Sequence, residues 1–340
     1  MIKSVRFENF KALRDATLPL GRFTLIVGPN GSGKSTALQA LRAAGSRDLV
    51  RYESILTVGL EPGSVPVRLM LAWGGSQEGV TTEVIWNERR ASDRAHFFPD
   101  GSVIEVRTGA FDPFQLDQYL CHVRIYALDA NYISTPVQLT PRPELEQNGH
   151  GLAGVLDSLR DTEPERFEAL NEEWGRWLPE FDRILFNTPA NGNRIISLRT
   201  RRDHHKLDVS SISQGTLIAL AILTLAYLPD PPKVVCFEEP DRAIHPRLLR
   251  HVQDALYRLA YPEGYGEKRE PVQVIATTHS PYFLDLYKDH PEEIVIAEKV
   301  GLEAKFERLT DRPDIDKILD GAPLGEVWYS GVLGGVPAGV

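Results

Sequence analysis

Apolar residues mark one face of the chain from Ile2 to Phe10 (Ile2, Val5, Phe7, Phe10) and predict a strand, with a second near Thr17–Leu20. Phe23-Thr24-Leu25-Ile26-Val27 is a continuous apolar, β-branched run and predicts a buried strand, followed by an Ala/Leu-rich helix over Thr36 to Ala44. Val65 to Val106 reads as an antiparallel meander: Val67–Trp73, Thr81–Trp86 and Val103–Val106, punctuated by Gly74-Gly75 and Asp100-Gly101. Val123–Leu128 is a further strand. The period becomes helical from Leu145 to Phe186, with Leu152, Val155, Leu156 and Leu159 on one face and Phe167, Leu170, Trp174, Trp177 and Leu178 on another; Pro164 and Pro179 mark helix starts or breaks. The two tryptophans are most simply core. Arg194–Leu198 and Lys206–Val209 form a hairpin pattern. From there strands and helices alternate: helix Leu217–Leu228, strand Lys233–Phe237, helix Pro246–Leu259, strand Val272–Thr277, short helix Pro281–Tyr287, strand Ile294–Ala297. Such alternation calls for a parallel sheet. The expected fold class is α/β, with residues 1–140 plus 210–330 as one discontinuous lobe, 140–210 as an inserted helical lobe and 331–340 as a Gly/Pro/Val-rich tail. No internal repeat is present.

Composition narrows this little. The 340 residues are 42% hydrophobic and 25% charged, enough for an ordinary packed core. A net charge of −9 argues against a surface that binds nucleic acid everywhere and leaves room for a local basic groove. Cys121 and Cys236 have no metal-site spacing. The longest apolar run, Leu217–Leu228, is too short to cross a bilayer. With no signal peptide, the expected location is cytoplasmic, without a membrane partner.

The chemistry begins at residues 28–36, Gly-Pro-Asn-Gly-Ser-Gly-Lys-Ser-Thr, a complete G-x-x-x-x-G-K-[ST] loop between a strand and a helix. The glycines let successive N–H groups of Asn30, Gly31, Ser32, Gly33, Lys34, Ser35 and Thr36 turn toward a phosphate chain, and the helix start adds its positive end. Lys34 is the candidate for the β- and γ-phosphates and the Ser35 hydroxyl for Mg²⁺. Such a site needs a carboxylate for the metal and a group that activates water. Val234-Val235-Cys236-Phe237-Glu238-Glu239-Pro240 offers both: Glu238 for the metal at the strand's C-terminal edge, and Glu239 as general base. Val274–Pro281 repeats the geometry, presenting His279 as a donor to a γ-phosphate oxygen or the attacking water; Ser280-Pro281 is a good helix start. Ser213-Gln214-Gly215-Thr216 precedes an apolar helix, where Ser213 and Gly215 read either as a plain cap or as an anion site.

The ordered set of phosphate loop, Ser-x-Gly helix start, Glu238-Glu239-Pro240-Asp241 with Ile244-His245-Pro246, and Thr278-His279-Ser280-Pro281 resembles the ATP-binding-cassette (ABC-type) ATPases. It is most similar to their soluble branch of RecF, SMC and OLD-like proteins, AAA family ATPases, with no Toprim nuclease domain expected after His279. Leu324-Gly325-Glu326 through Gly331 adds to the likeness. The resemblance implies a P-loop NTPase fold: an ABC-ATPase head, with an N-terminal antiparallel β region and an inserted helical lobe. It also implies ATP and Mg²⁺ as cofactors, hydrolysis of ATP to ADP and phosphate, and a homodimer or higher oligomer with ATP sandwiched between heads. Lys34, Ser35, Glu238, Glu239 and His279 then serve ATP in cis, while Ser213 and Gly215 cap the γ-phosphate held by the partner. Gln214 and Thr216 depart from the family's Leu-Ser-Gly-Gly-Gln, and Glu238 stands for the commoner Asp. A magnesium-sensing glutamine is implied, with Gln138 and Gln115 as candidates. Asp241 to His245 takes the place of the loop that crosses to the partner subunit.

The function expected is an ATP-driven switch in nucleic-acid processing, DNA repair or anti-phage defence, regulating a separately encoded effector such as a nuclease. The alternatives are the ATPase subunit of a membrane transporter and an ATP-bound scaffold with little turnover. No coiled-coil heptads lie between the loop and Ser213. Arg199, Arg201, Arg202, His204, His205 and Lys206 are either a nucleic-acid contact or a solvated turn. Arg6, Phe7, Phe10 and Lys11 either border the adenine or, for the two phenylalanines, pack the core.

Overall fold

The structure is a computed structural model and describes residues 1–46, 50–88, 90–106, 116–189, 192–301, 303–313 and 323–334, together with 315 and 318. The chain forms two compact units. One comprises Met1–Ile125, Pro232–Cys236 and Gln273–Val340, the other Tyr126–Pro231 and Phe237–Val272.

The first unit holds an antiparallel sheet in the order β2-β1-β4-β5-β6-β7, where β1 is Ile2–Phe10, β2 Leu13–Pro19, β4 Val67–Trp73, β5 Thr81–Asn87, β6 Arg90–Phe97 and β7 Val103–Val106. A second sheet has β3 (Phe23–Val27) inside it and runs β15-β14-β3-β13-β12-β8, with β8 Val123–Tyr126, β12 Val234–Glu238, β13 Gln273–Thr278, β14 Ile294–Val300 and β15 Glu303–Arg308. β3 pairs in parallel with both β13 and β14, and β15 closes the edge antiparallel to β14. The innermost strands are covered on both faces: all five residues of β3 and all six of β13 are buried. Helix α1 (Lys34–Gly45) seals one core with Ala37, Leu38 and Leu41 against Phe7, Leu13, Ile26 and Ile275. Short helices α2 (Tyr52–Ile55) and α3 (Leu116–Cys121) belong to the same unit. Gln273 ties its two sheets: its Nε2 donates to the Ile2 and Gly21 carbonyls (2.6 and 2.8 Å), and its Oε1 accepts from the Ile2 N–H at 3.0 Å.

The last residues of β8 and β12 open the second unit. Its helices are α4 (Ala130–Ile133), α5 (Leu152–Thr162), α6 (Pro164–Trp177), α7 (Gln214–Tyr227) and α8 (Leu249–Ala260). Helix α7 is apolar all round and buried from Leu217 to Tyr227, the pattern of a helix wrapped on every side, here by α4, α6 and α8. Trp174 and Trp177 are core as expected. A three-stranded sheet, β11-β10-β9, packs beside α6: β9 is Phe181–Asn187, β10 Ile195–Thr200 and β11 Lys206–Asp208. The Glu267 carboxylate gathers Arg258 (2.6 Å) and Arg269 (2.7 Å), and the Arg258 guanidinium lies 4.0 Å over the Tyr227 ring. Back in the first unit, α9 (Pro281–Asp285) meets α10 (Leu324–Tyr329), where the Gly325 N–H donates to Asp285 at 2.7 Å.

Three strands escape the sequence pattern. The helical period expected through Phe186 stops at Trp177, because Pro179 ends it and the residues beyond extend into β9. β6 and the edge strand β15 were not expected. The span 140–210 expected as an inserted lobe lies within the second unit, and residues 335–340 of the tail lie outside the described residues.

Candidate functional site

The loop after β3 is shaped by its glycines, each for a different reason. A Cβ at Gly28 would collide with the Ala297 carbonyl of β14 and lie 2.9 Å from Ser32 Oγ. Gly31 has φ 80° and nothing within 4 Å of where a Cβ would stand. Gly33, at φ 95°, caps α1 in the left-handed region and sits 2.9 Å (as a notional Cβ) from Leu13 Cδ2. The first N–H groups of α1, on Lys34, Ser35 and Thr36, have no partner within the helix. Lys34, only 6% exposed, donates through Nζ to the Gly28 carbonyl at 2.6 Å and the Pro29 carbonyl at 2.9 Å. Asn30 and Ser35 are exposed. Ser32 is fully buried, and its Oγ has no hydrogen-bond partner among the described residues. A helix start, a buried ammonium and a buried hydroxyl with no partner among the described residues surround an open glycine turn, an arrangement that fits a phosphate chain.

The far end of α1 is fixed as firmly. Gly45 abuts the Leu120 carbonyl of α3 so closely that any Cβ would collide with it. Arg94 donates to the Ala44 carbonyl at 2.6 Å and pairs with Asp117 of α3.

His279 reaches the same edge by register. Thr278 of β13 is opposite Val27 of β3, so the next residues, His279 and Gly28, leave two adjacent parallel strands together. His279 is exposed. Thr278 Oγ1 accepts the Ser280 N–H at 3.0 Å, and Ser280 Oγ caps α9 by accepting from Phe283 at 3.4 Å, with Pro281 in the first helical position. Thus the turn that carries His279 is set on both sides.

In the second unit, Glu238 ends β12 and Glu239 follows, both half-buried. Glu239 has φ 49° and Ala243 φ 60°, left-handed conformations that cost a non-glycine residue roughly 1–2 kcal/mol each. Between them the chain makes two turns, closed by the Arg242 N–H to the Glu239 carbonyl (2.9 Å) and the Ile244 N–H to the Asp241 carbonyl (3.2 Å). His245 Nδ1 then accepts the Arg247 N–H at 3.2 Å and starts the next helical turn. Ser213 is the N-cap of α7: its Oγ accepts from the Thr216 N–H at 3.2 Å and pairs with the Thr216 hydroxyl at 2.7 Å. Gly215 is buried where the Ala243 carbonyl crosses α7; a Cβ would collide with that oxygen and come within 3.1 Å of Ile244 Cα. Both residues therefore have a structural reason within this chain, and the one at Gly215 has no local sequence signal.

The remaining candidates divide. Phe7 and Phe10 are core, at 0% and 1% exposed, while Arg6 pairs with Asp15 at 3.0 Å and Lys11 donates to Gln39 at 2.8 Å. In the basic stretch, Arg199 forms a twin hydrogen bond to Asp182 (2.9 and 3.0 Å), and Arg201 donates to the Pro179 and Phe181 carbonyls (2.8 and 3.1 Å). Arg202, His204, His205 and Lys206 stay exposed. Gln138 is exposed near the Val137–Arg194 bridge; Gln115 lies outside the described residues. Among the described residues no group of three or more His, Cys, Asp or Glu side chains is placed to hold a metal ion. A Mg²⁺ bound through one carboxylate, one hydroxyl and phosphate oxygens requires no such cage.

Comparison with known proteins agrees with this architecture. The chain is 23% identical over 375 aligned positions to the "OLD nuclease" of Thermus scotoductus, covering 96% of this chain and 68% of that protein. It has the fold of SMC heads. The SMC head domain from Thermotoga maritima matches at TM-score 0.50 and 17% identity (90% of this chain, 98% of that one), and an SMC head bound to the C-terminal winged-helix domain of ScpA at 0.56 and 14% (90% and 97%). No helix among the described residues is long and apolar enough to cross a membrane. An "AAA ATPase domain" model matches residues 1–57. The chain belongs to the family whose model, described as "AAA domain, putative AbiEii toxin, Type IV TA system", matches residues 102–285.

Proposed function

We propose that this AAA-family ATPase hydrolyses ATP, closes as a homodimer around it, and acts as a switch in nucleic-acid processing, repair or anti-phage defence. A separately encoded effector, such as a nuclease, would read the switch. The observation that carries this reading is the phosphate loop with a buried Lys34 whose neighbouring parallel strand delivers His279 level with Gly28. In this reading Lys34 and the N–H groups of residues 30–36 bind the β- and γ-phosphates. Ser35 and Glu238 hold the metal. Glu239 takes a proton from the attacking water, and His279 donates to the transferred phosphoryl group. ATP would be the source of the phosphoryl group, and a Mg²⁺ held by Ser35 and Glu238 would supply charge neutralisation.

Ser213 keeps an exposed hydroxyl at the start of α7, in keeping with a role toward a second copy's nucleotide. A ligand bound only by the closed pair would drive closure by mass action. The relative's name, a nuclease, supports the choice of nucleic-acid processing. The test is ATPase turnover with and without DNA, together with light scattering, on wild type and Glu239→Gln. Expected are turnover in wild type only and an ATP-dependent dimer in Glu239→Gln. A variant that stays monomeric with ATP would sink the dimer, and one that keeps its turnover would sink the base.

A further inference from the structure

We propose that Ala243 is a positioning residue for Glu239, held in place by Gly215. The inference rests on the reading of Glu239 as general base. Glu239 and Ala243 are both left-handed and bracket two consecutive turns, so the direction in which Glu239 leaves β12 is tied to the conformation of Ala243. The Ala243 carbonyl is pressed against Gly215, in the first turn of α7, and Ile244 is buried just beyond it. The contact is backbone on backbone, which no rotamer change can relieve. Only a glycine at 215 lets the turn settle there, and α7 itself is immobilised by burial along its length. The Ala243 side chain is exposed, so its identity acts on the turn through φ and not through packing. A β-branched residue resists positive φ, whereas glycine accepts it freely.

Ala243→Val therefore changes one backbone preference and adds its methyls to solvent. Its kcat for ATP hydrolysis is expected to fall about 100-fold, the loss typical of a misdirected catalytic group, with KM and the Kd for a non-hydrolysable ATP analogue unchanged. The conservative Ala243→Gly is expected to regain most of that rate. Gly215→Ala should show the same loss confined to kcat, and thermal melting of each variant reports whether it folds. An unchanged kcat in Ala243→Val, a KM that rises in step with the loss, or an Ala243→Gly that stays as slow overturns the proposal. Glu239→Gln measured alongside separates the two readings. If it is inactive while Ala243→Val is not, only the positioning role fails; if it retains turnover, the general base fails and this role with it.

Discussion

Thr278 lies opposite Val27 across two parallel strands, and this pairing brings His279 beside Gly28 at the mouth of the phosphate loop. Since the register fixes the backbone, His279→Ala should remove a donor without moving the loop. The expected loss in kcat is about 100-fold, the scale for one donor to developing charge, with nucleotide affinity little changed. Steady-state kinetics beside analogue binding check this; equal losses in both would assign His279 to binding.

Lys34 should behave in the opposite way. Its Nζ is held by the Gly28 and Pro29 carbonyls in a buried position, ready to face a phosphate. Lys34→Ala is expected to weaken ATP-analogue binding by about 10- to 100-fold, the worth of one or two hydrogen bonds to a charged group. Calorimetric titration measures it, and near-native affinity would refute the assignment.

Glu267 is the structural counterpart. Its carboxylate is 8% exposed and serves Arg258 and Arg269, while burial pushes the Arg269 guanidinium below its ordinary value against the pull of Glu267. Glu267→Ala leaves Arg258, Arg269 and the more distant Arg166 (3.7 Å) without this anion and should cost about 3 kcal/mol of stability. Denaturant unfolding monitored at the tryptophans of α6 tests this, and a loss within error would show that the arginines find other partners.

The basic stretch is partly committed to the fold. The Arg199 hydrogen bond holds the Asp182 carboxyl below the ordinary carboxylate range. A carboxyl lowered in the folded state contributes above its unfolded value, and that contribution is lost as pH falls through the lowered one. An NMR titration should find the Asp182 midpoint depressed, and Arg199→Ala should restore it. For DNA binding, the exposed Arg202 and Lys206 are the cations to remove. Their double replacement should flatten the slope of log affinity against log salt by about 2, and an unchanged slope would rule this turn out.

What the sequence reveals and what it hides follow from distance along the chain. The phosphate loop, the acids ending β12 and the Ser280-Pro281 start of α9 are contiguous signals whose chemistry and geometry sit within a few residues. β15 reads as Glu-Ala-Lys-Phe-Glu-Arg because an edge strand keeps one face in water, which masks it as a polar stretch. β9 is hidden by continuing the apolar spacing of α6 past Pro179. The need for glycine at 215 is invisible, since the Ala243 carbonyl that demands it arrives from beyond β12, and an alanine gives no hint of a positive φ. Phe7 and Phe10, open between core and adenine in the sequence, are settled by their burial alone.

Gly45 gives the loop a second dependence. With 12 residues at 1.5 Å each, α1 is a rod of about 18 Å whose near end follows the glycine loop and whose far end abuts the Leu120 carbonyl. A side chain at 45 would force α1 away from α3, and a rigid helix would carry that displacement to its loop end. The placing of the loop is thus set from both ends of one helix, and a mutation far from it would disturb it as surely as one in the loop.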